Sequence, residues 1–599
     1  MSAPRGCASG PAREELTNTH ETEEMSMTGG AYRSYLASER RARRPSHARG
    51  RGVALGVGVT LGLSILGATG VAAAAPTGPA PPGLGAEAWE QDSDRSAEPE
   101  HQELSLLNYF FVRGSFTNQL GDPSGLRGVS LGPLGPGEGV GSSTSVGSST
   151  TNAYVEQRWI PVLSYSPAFA DGLATFRAQF EVDYTWGLAA NTVQNNQGGG
   201  FNADQVNIQT KNVNVAFYPT RNPLEMSILI GTHSVYDSIF DPTITSLFDI
   251  IQTGYKLSYL GSDATGISLF ANAGPYGRGK LSFIPIGAAQ PDKASEGDAR
   301  FSYVYLATAD YMYEVAPGTR IGASLWHLED QSKGEAYAYQ GLVKSGPSSN
   351  ALSAYTGTAP FNIDSPSGDV NYLGLNFHHN INFKTSPFGA SGFVMYNRGK
   401  FTSEKEDTQK NKSVDIRGAA ANLELMYNWG FTKDDRVTLE GMYTTGDDDP
   451  NDGTYKGAFT MNYYGLPGAV WFNHKALILF PFTSTVSNYT GAVTDISNRG
   501  AGLTAGIFTV SHDVIPNKLN VKLGGAYARS VERPIWAGNI QGGRTIGAEV
   551  NAEIRYSFRY LMTVGLHGAY MARGDFFTGN PQIAKDPWAA FTTFTWYAF

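Results

Sequence analysis

Cysteine is nearly missing: the 599 residues carry one, Cys7. That excludes a disulfide scaffold and any zinc site built on paired cysteines. Charge is also scarce, at 17% of residues, where soluble domains average about 25%. The formal net charge of -9 argues against a reader of nucleic acid, which gathers positive charge on one face. Heptads and collagen repeats are absent, as are HExxH, GxSxG, P-loop and dinucleotide fingerprints. What is plentiful is glycine (71) and aromatics, with 31 Tyr and 31 Phe. No composition break after the first hundred residues divides the rest into the several domains that length alone suggests.

The first hundred residues read as an address. Arg40, Arg41, Arg43, Arg44, Arg49 and Arg51 precede an apolar run from Val53 to Val71, and Ala72 to Ala75 follow. A basic segment, an apolar segment and an A-x-A site together describe a secretory signal at residues 1–74. An uncleaved membrane helix is the competing reading, disfavoured by the glycines of the run and the alanine cluster. The basic segment is long, so Met25 or Met27 is a candidate start. Cys7 leaves with the presequence. Residues 75–103, Pro/Gly-rich and then acidic, read as a disordered periplasmic leader.

From Leu104 to Phe599 the hydropathy pattern has a period of two. In Thr545 to Phe558, Ile546, Ala548, Val550, Ala552, Ile554, Tyr556 and Phe558 fall on one face. Thr545, Gly547, Glu549, Asn551, Glu553, Arg555 and Ser557 fall on the other. A strand with one apolar and one wet face makes that pattern, and a helix does not. Ala174 to Trp186 and Arg300 to Tyr313 repeat it. About eighteen such segments occur, each about 9–14 residues, the length of a tilted membrane-spanning strand. Their centres include Tyr255, Leu269 and Leu503, with none between Leu269 and Tyr305. Short connections, among them Ala168 to Gly172, Gly261 to Gly266 and Ala316 to Thr319, alternate with long Gly/Ser/Asn/Asp-rich ones. The pattern predicts an all-β, transmembrane antiparallel β-barrel with short periplasmic turns and long extracellular loops. A secreted sandwich would also alternate, but it needs no aromatic residues at strand ends, where a membrane interface favours them. The last residues, WAAFTTFTWYAF, resemble the terminal strand that the outer-membrane barrel assembly machinery recognises, with Phe599 last and Tyr597 two before it.

Chemistry has few footholds. The histidines are scattered, and His233 and Ser234, adjacent on a strand, point to opposite faces and cannot form a dyad. An enzyme would need one of them to find a partner across strands. The loop Gly446 to Gly453, GDDDPNDG, is rich in oxygen ligands. Counted from Asp447, however, the bidentate position of a calcium loop falls on Ala458 and the glycine is one place late. Catalytic residues, metal sites and cofactors are accordingly expected to be none.

The same stretch carries a family resemblance. Arg436 to Tyr464, through Gly441, Tyr443, Thr445, Gly446, Asp447, Asp449, Asp452, Gly453 and Phe459, resembles the strand and acidic loop of the alginate-export outer-membrane porin family. Lys211 to Asp237 is similar to that family's upstream strand pair, with Gly231, Thr232 and His233 at the place of its Gly-Arg-Gln motif. The resemblance implies an eighteen-stranded channel.

Alternation assigns to the lumen the basic residues Arg177, Lys256, Lys522, Arg555 and Arg573. It also assigns the acidic residues Asp183, Glu181, Asp310, Glu424, Glu440, Glu549 and Glu553 there. Glu549, Glu553 and Arg555 share one face of one strand and could form a charge ladder. A wall for a polyanion should be strongly positive; this one is mixed, and Asn422, Asn428, Asn551, Gln179 and Thr563 add neutral hydrogen-bonders. The expected function is passive passage of small polar solutes or oligosaccharides through the outer membrane of a Gram-negative bacterium, with lipid and the assembly machinery as partners. The alternative is a non-conducting barrel for adhesion or surface anchoring. Aromatics in Tyr455 to Pro481 (Phe459, Tyr463, Tyr464, Trp471, Phe472) suggest that part of this loop folds into the mouth. Mass spectrometry of the membrane-extracted protein should find a chain starting at Ala75; a chain retaining Val53 to Val71 would refute cleavage.

Overall fold

The computed structural model describes residues 103–120, 145–146, 152–186, 203–222, 225–236, 261–291, 301–331, 333, 363, 366–381, 383–404, 410–449, 452–459, 476–479, 498, 501–533, 535–536, 539–540, 542–559, 561–578 and 585–598. The chain separates into two compact units. One comprises residues 1–72 and 535–540, of which the described part is Ile535–Trp536 paired with Asn539–Ile540. The other holds every strand of the barrel.

That barrel is a closed antiparallel wall of eighteen strands. In chain order they are β1 Leu104–Thr117, β2 Asn152–Tyr165, β3 Ala174–Trp186, β4 Ala203–Phe217, β5 Met226–Tyr236 and β6 Gly261–Asn272. Next come β7 Gly277–Pro291, β8 Phe301–Ala316, β9 Thr319–Asp330, β10 Ser367–His379, β11 Phe388–Thr402 and β12 Ser413–Asn428. The last are β13 Arg436–Thr444, β14 Leu503–Ile515, β15 Leu519–Ser530, β16 Thr545–Arg559, β17 Met562–Arg573 and β18 Trp588–Ala598. Each pairs with its neighbours in sequence, and β1 closes on β18 from Asn108 opposite Ala598 to Thr117 opposite Ala589. Closure satisfies the edge groups that lipid could not.

Short turns follow the even-numbered strands and long connections the odd-numbered ones. Two-residue turns rely on local chemistry: Pro317 fixes its own φ and Gly318 takes φ 73°, a division of labour that tight turns favour. The turn after β12 is held by Asp435. Its carboxylate accepts the main-chain N–H of Phe431 and Thr432 on one oxygen, and the Asp513 N–H and the His512 ring on the other, at 2.8–3.0 Å. Burial pushes this carboxyl up, but the four hydrogen bonds outweigh it and hold it well below the usual range.

Outside, leucines stand in the open: Leu373 at the middle of β10 is 55% exposed, and Leu281, Leu325, Val394, Leu439, Leu523, Val550 and Leu566 are similar. Apolar surface of this extent marks contact with lipid rather than water. Outward aromatics gather towards the strand ends, as in the Phe388–Tyr427 pair at the short-turn side, with ring centroids 4.9 Å apart.

Three details depart from the sequence reading. Gly261 to Gly266, expected as a turn, opens β6; the turn lies at 273–276, and β7 follows it where the sequence pattern sets no strand centre. Small residues there suit a strand because Gly266 lies opposite Gly231, and a Cβ on it would meet the Phe283 carbonyl oxygen at 2.4 Å. Leu503 begins its strand rather than centring it. Ile546 faces inward and is fully buried, because the β15–β16 register slips between Ala528 and Arg529. Tyr597 packs inside against Tyr109, centroids 5.0 Å apart, while Trp596 faces out. The centre at Tyr255 and the terminal Phe599 lie outside the described residues. Replacing Leu373 by Arg should destabilise the barrel in lipid vesicles by roughly 2–4 kcal/mol; a change below about 0.5 kcal/mol in denaturant titration would show that this face does not meet lipid.

Candidate functional site in the barrel lumen

The inward face carries the charge, and neighbouring strands supply its partners. Asp310 on β8 is salt-bridged to Lys280 on β7, Nζ to Oδ2 at 3.1 Å. Its other oxygen accepts from Ser324 Oγ at 2.6 Å and Trp326 Nε1 at 2.8 Å. Glu553 on β16 is bridged on one side by Lys522 Nζ at 2.6 Å and on the other by His567 Nδ1 at 2.8 Å. The His567 ring stacks on Phe591, 4.6 Å between centroids, and Arg113 lies over the same phenyl ring at 5.6 Å. Glu424 and Glu440 face each other directly across β12 and β13, both buried, with Asn422 Nδ2 donating to Glu440 Oε1 at 2.6 Å. Buried charge of this kind persists only when it is paired or hydrogen-bonded.

Arg177 sits inward on β3, opposite Ser164 and Asn214. Glu181 and Asp183 hold ladder positions opposite Gln209 and Asn207, and their side chains lie outside the described residues, as does Lys256 altogether. Arg555 is exposed and donates to Asn520 Oδ1 at 3.3 Å. Arg573 ends β17 at the long-loop rim beside Asp586, at 3.5 Å. Glu549, Glu553 and Arg555 share a face, but Glu549 accepts from the loop amide of Leu477, while Glu553 and Arg555 reach Lys522 and Asn520 on the neighbouring strand.

Sequence reasoning missed several inward residues. Arg278 and Lys280 belong to β7, the overlooked strand, although Arg278, Lys280, Ser282 and Ile284 alternate there with outward Leu281 and Phe283. Arg113, Arg158 and Arg320 are also inward and buried. On β1 the signal is masked because the inward face begins with Leu107, Tyr109 and Phe111, which join Ile160 and Val162 in an apolar cluster. A cross-strand histidine partner does exist: His233 Nε2 is 2.6 Å from Ser268 Oγ, which is 2.7 Å from Ser282 Oγ. His233 and Ser268 are each 1% exposed, and His233 Nδ1 faces the Gly231 carbonyl, which makes Nδ1–H the donor. This buried chain of imidazole and hydroxyls links β5, β6 and β7 within the wall.

The long connection between β13 and β14 enters this lumen. Thr454–Tyr455 pairs in parallel with β12 at Asp415 and Ile416. Phe459 N–H donates to Asn397 Oδ1 at 3.1 Å, and its ring lies 6.5 Å from those of Phe401 and Tyr455. Further on, Ala476, Leu477, Ile478 and Leu479 are 0–3% exposed. The main-chain N–H groups of Leu477, Ile478 and Leu479 all donate to the Glu549 carboxylate, at 2.6, 3.0 and 2.6 Å. Asn551 Nδ2 adds a fourth donor at 2.9 Å. Glu549 lies four residues inside β16, which at about 3.3 Å per residue puts this contact about 13 Å below the strand's start. Tyr463, Tyr464, Trp471 and Phe472 lie outside the described residues.

The acidic loop is stitched rather than open. Lys456 Nζ reaches Asp448 Oδ1 at 2.7 Å and Asp452 Oδ2 at 3.4 Å. Asp452 Oδ1 accepts the Thr454 N–H at 2.7 Å, its own N–H binds the Asp449 carbonyl, and Gly453 turns the chain at φ 78°. Gly446 is packed where a Cβ would meet the Ala501 carbonyl oxygen at 2.2 Å. Among the described residues, no three His, Cys, Asp or Glu side chains are grouped to hold a metal ion. Asp447 is 7% exposed. Burial first, then repulsion from Asp452, push its carboxyl up to about 6 against the pull of Lys456.

No protein-family model and no curated protein matches the sequence. The fold is similar to that of solved outer-membrane channels. Pseudomonas aeruginosa OccK5 (OpdH) is 10% identical, with 82% of this chain and 98% of that one covered and a TM-score of 0.39. Pseudomonas aeruginosa OccK2 (OpdF) in complex with glucuronate is 11% identical, at 83% and 96% coverage and a TM-score of 0.42. The Acinetobacter baumannii channel DcaP is 10% identical, at 82% and 97% coverage and a TM-score of 0.37. A likeness at this level concerns the backbone and carries nothing about cargo.

Because the native carboxyl of Asp447 is raised, the docked loop favours its protonated form. Its contribution is fully present below the ordinary 3.8 and is lost as pH rises through about 6. Amides of 453–459 should therefore exchange more slowly at pH 5 than at pH 8 once intrinsic rates are corrected. Asp447→Asn should abolish the difference; a pH dependence that survives the substitution assigns it elsewhere.

Proposed function

We propose that this chain is an outer-membrane channel of a Gram-negative bacterium that passes small polar solutes or oligosaccharides by diffusion. The observation that carries this reading is the sidedness of the wall: apolar side chains outside, and inside a hydrogen-bonding surface bearing charges of both signs. An interior of this width has room for water and solute. Ion pairs such as Lys280–Asp310 and Lys522–Glu553 balance part of the charge on the wall. Neutral or zwitterionic cargo suits such a wall better than a polyanion, so the likeness of Arg436 to Tyr464 to the alginate-export porins is taken here for the channel and not for alginate. Lipid surrounds the barrel, and the terminal strand is the segment through which assembly machinery would insert it. No catalytic step is assigned.

A second reading, a non-conducting barrel used for adhesion or anchoring, draws on one observation: the long-loop end of the lumen is occupied by Tyr455, Phe459 and 476–479. Planar-bilayer recording separates the two. Discrete conductance steps, with sugars entering liposomes in order of size, are expected of a channel. Silent bilayers and osmotically inert liposomes at high protein loading would reject it in favour of the barrel without a pore.

A further inference from the structure

We propose that Glu549 sets the size limit of the passage by pinning segment 476–479 as a barrier inside the lumen. The inference rests on the channel reading and adds a residue and a mechanism to it. The segment belongs to the connection between β13 and β14, yet it is fastened to β16. Its companion stretch, ending at Phe459, is fastened to Asn397 on β11. Asn397 and Glu549 stand on β11 and β16, with β12, β13, β14 and β15 between them along the wall, so the described stretches 452–459 and 476–479 are fastened to different parts of it.

The fastening at Glu549 is specific to a carboxylate. Leu477 N–H and Asn551 Nδ2 donate to Oε1, while Ile478 and Leu479 N–H donate to Oε2. Every one of these partners is a donor, so both oxygens must accept. A glutamine keeps the shape but offers one accepting oxygen and turns an NH2 towards donors. Three consecutive main-chain amides converging on one side chain also fix the path of the backbone, not merely its depth. The side chains of 477–479 are buried with it, so releasing the carboxylate frees the segment as a unit. Glu549 is thus a positioning residue: it acts on a solute through the chain it holds.

The test uses the full-length protein in outer-membrane vesicles and liposomes, with Cys7→Ser and Leu477→Cys supplying a single thiol. With Glu549 present, a membrane-impermeant maleimide should label that thiol slowly; Glu549→Gln should accelerate labelling at least tenfold, with Glu549→Asp intermediate. In parallel, without the thiol, Glu549→Gln should admit sugars that the parent excludes and raise unit conductance at least twofold. Heat-modifiable mobility on gels establishes that each variant is a folded barrel. If Glu549→Gln does not fold, Glu549→Asp carries the same comparison. Unchanged labelling overturns the pinning, and faster labelling with an unchanged sugar limit overturns its role in selection. If every form is impermeable, the channel reading and the size limit fall together, while the labelling ratio still decides whether Glu549 holds the segment.

Discussion

A main chain in hydrocarbon must satisfy its own hydrogen bonds, and the rest of this structure follows from that requirement. Each wall strand donates and accepts along two neighbours, and the ring is complete only because β1 and β18 meet over ten residue pairs, Asn108–Ala598 to Thr117–Ala589. With no edge left, the strands need little help from a central apolar core. Side chains are released for two separate tasks. Outward ones meet lipid, inward ones meet solutes, one another and the incoming loop.

The inner face shows how charge is tolerated in such a setting. Asp310, Glu549 and Glu553 are almost wholly buried, and each is surrounded by donors rather than left to water. A hydrogen bond to a charged group contributes about 1.5–3 kcal/mol, whereas a buried carboxylate left unsatisfied costs at least as much. Removing Lys522 or the 477–479 amides therefore leaves a buried charge with only part of its partners, His567 for Glu553 and Asn551 for Glu549. Cross-strand register decides who pairs, since Lys522 stands opposite Glu553 and Glu553 opposite His567. The same principle operates at the short-turn side, where Asp435 ties its own turn to β14.

Much of the wall was legible because side chains on a strand alternate with period two whatever the strand is next to. Glu440, Lys522 and Glu553 are buried, whereas Leu439, Leu523 and Ile554 beside them are exposed. The failures are instructive. Gly261 to Gly266 looks like a turn because glycine and aspartate usually make one; in the barrel, the close approach of β5, β6 and β7 gives small residues a place in a strand. Ile546 obeys the alternation in sequence but not in space, because a register slip turns it over. Arg113 was hidden by apolar inward neighbours, since the interior is partly greasy where β1, β2 and β18 meet.

Sequence by itself determined the class of fold, the alternating faces of strands with a clean period of two, and the broad alternation of short and long connections, all of which are local periodicities of the chain. Only the tertiary structure decided which charges meet and where the β13–β14 connection goes. Glu549 and Leu477 are separated by 72 residues, and no periodicity links them. Their contact exists because the ring brings β16 within reach of a loop that leaves from β13, and because three consecutive loop amides converge on a carboxylate with two accepting oxygens.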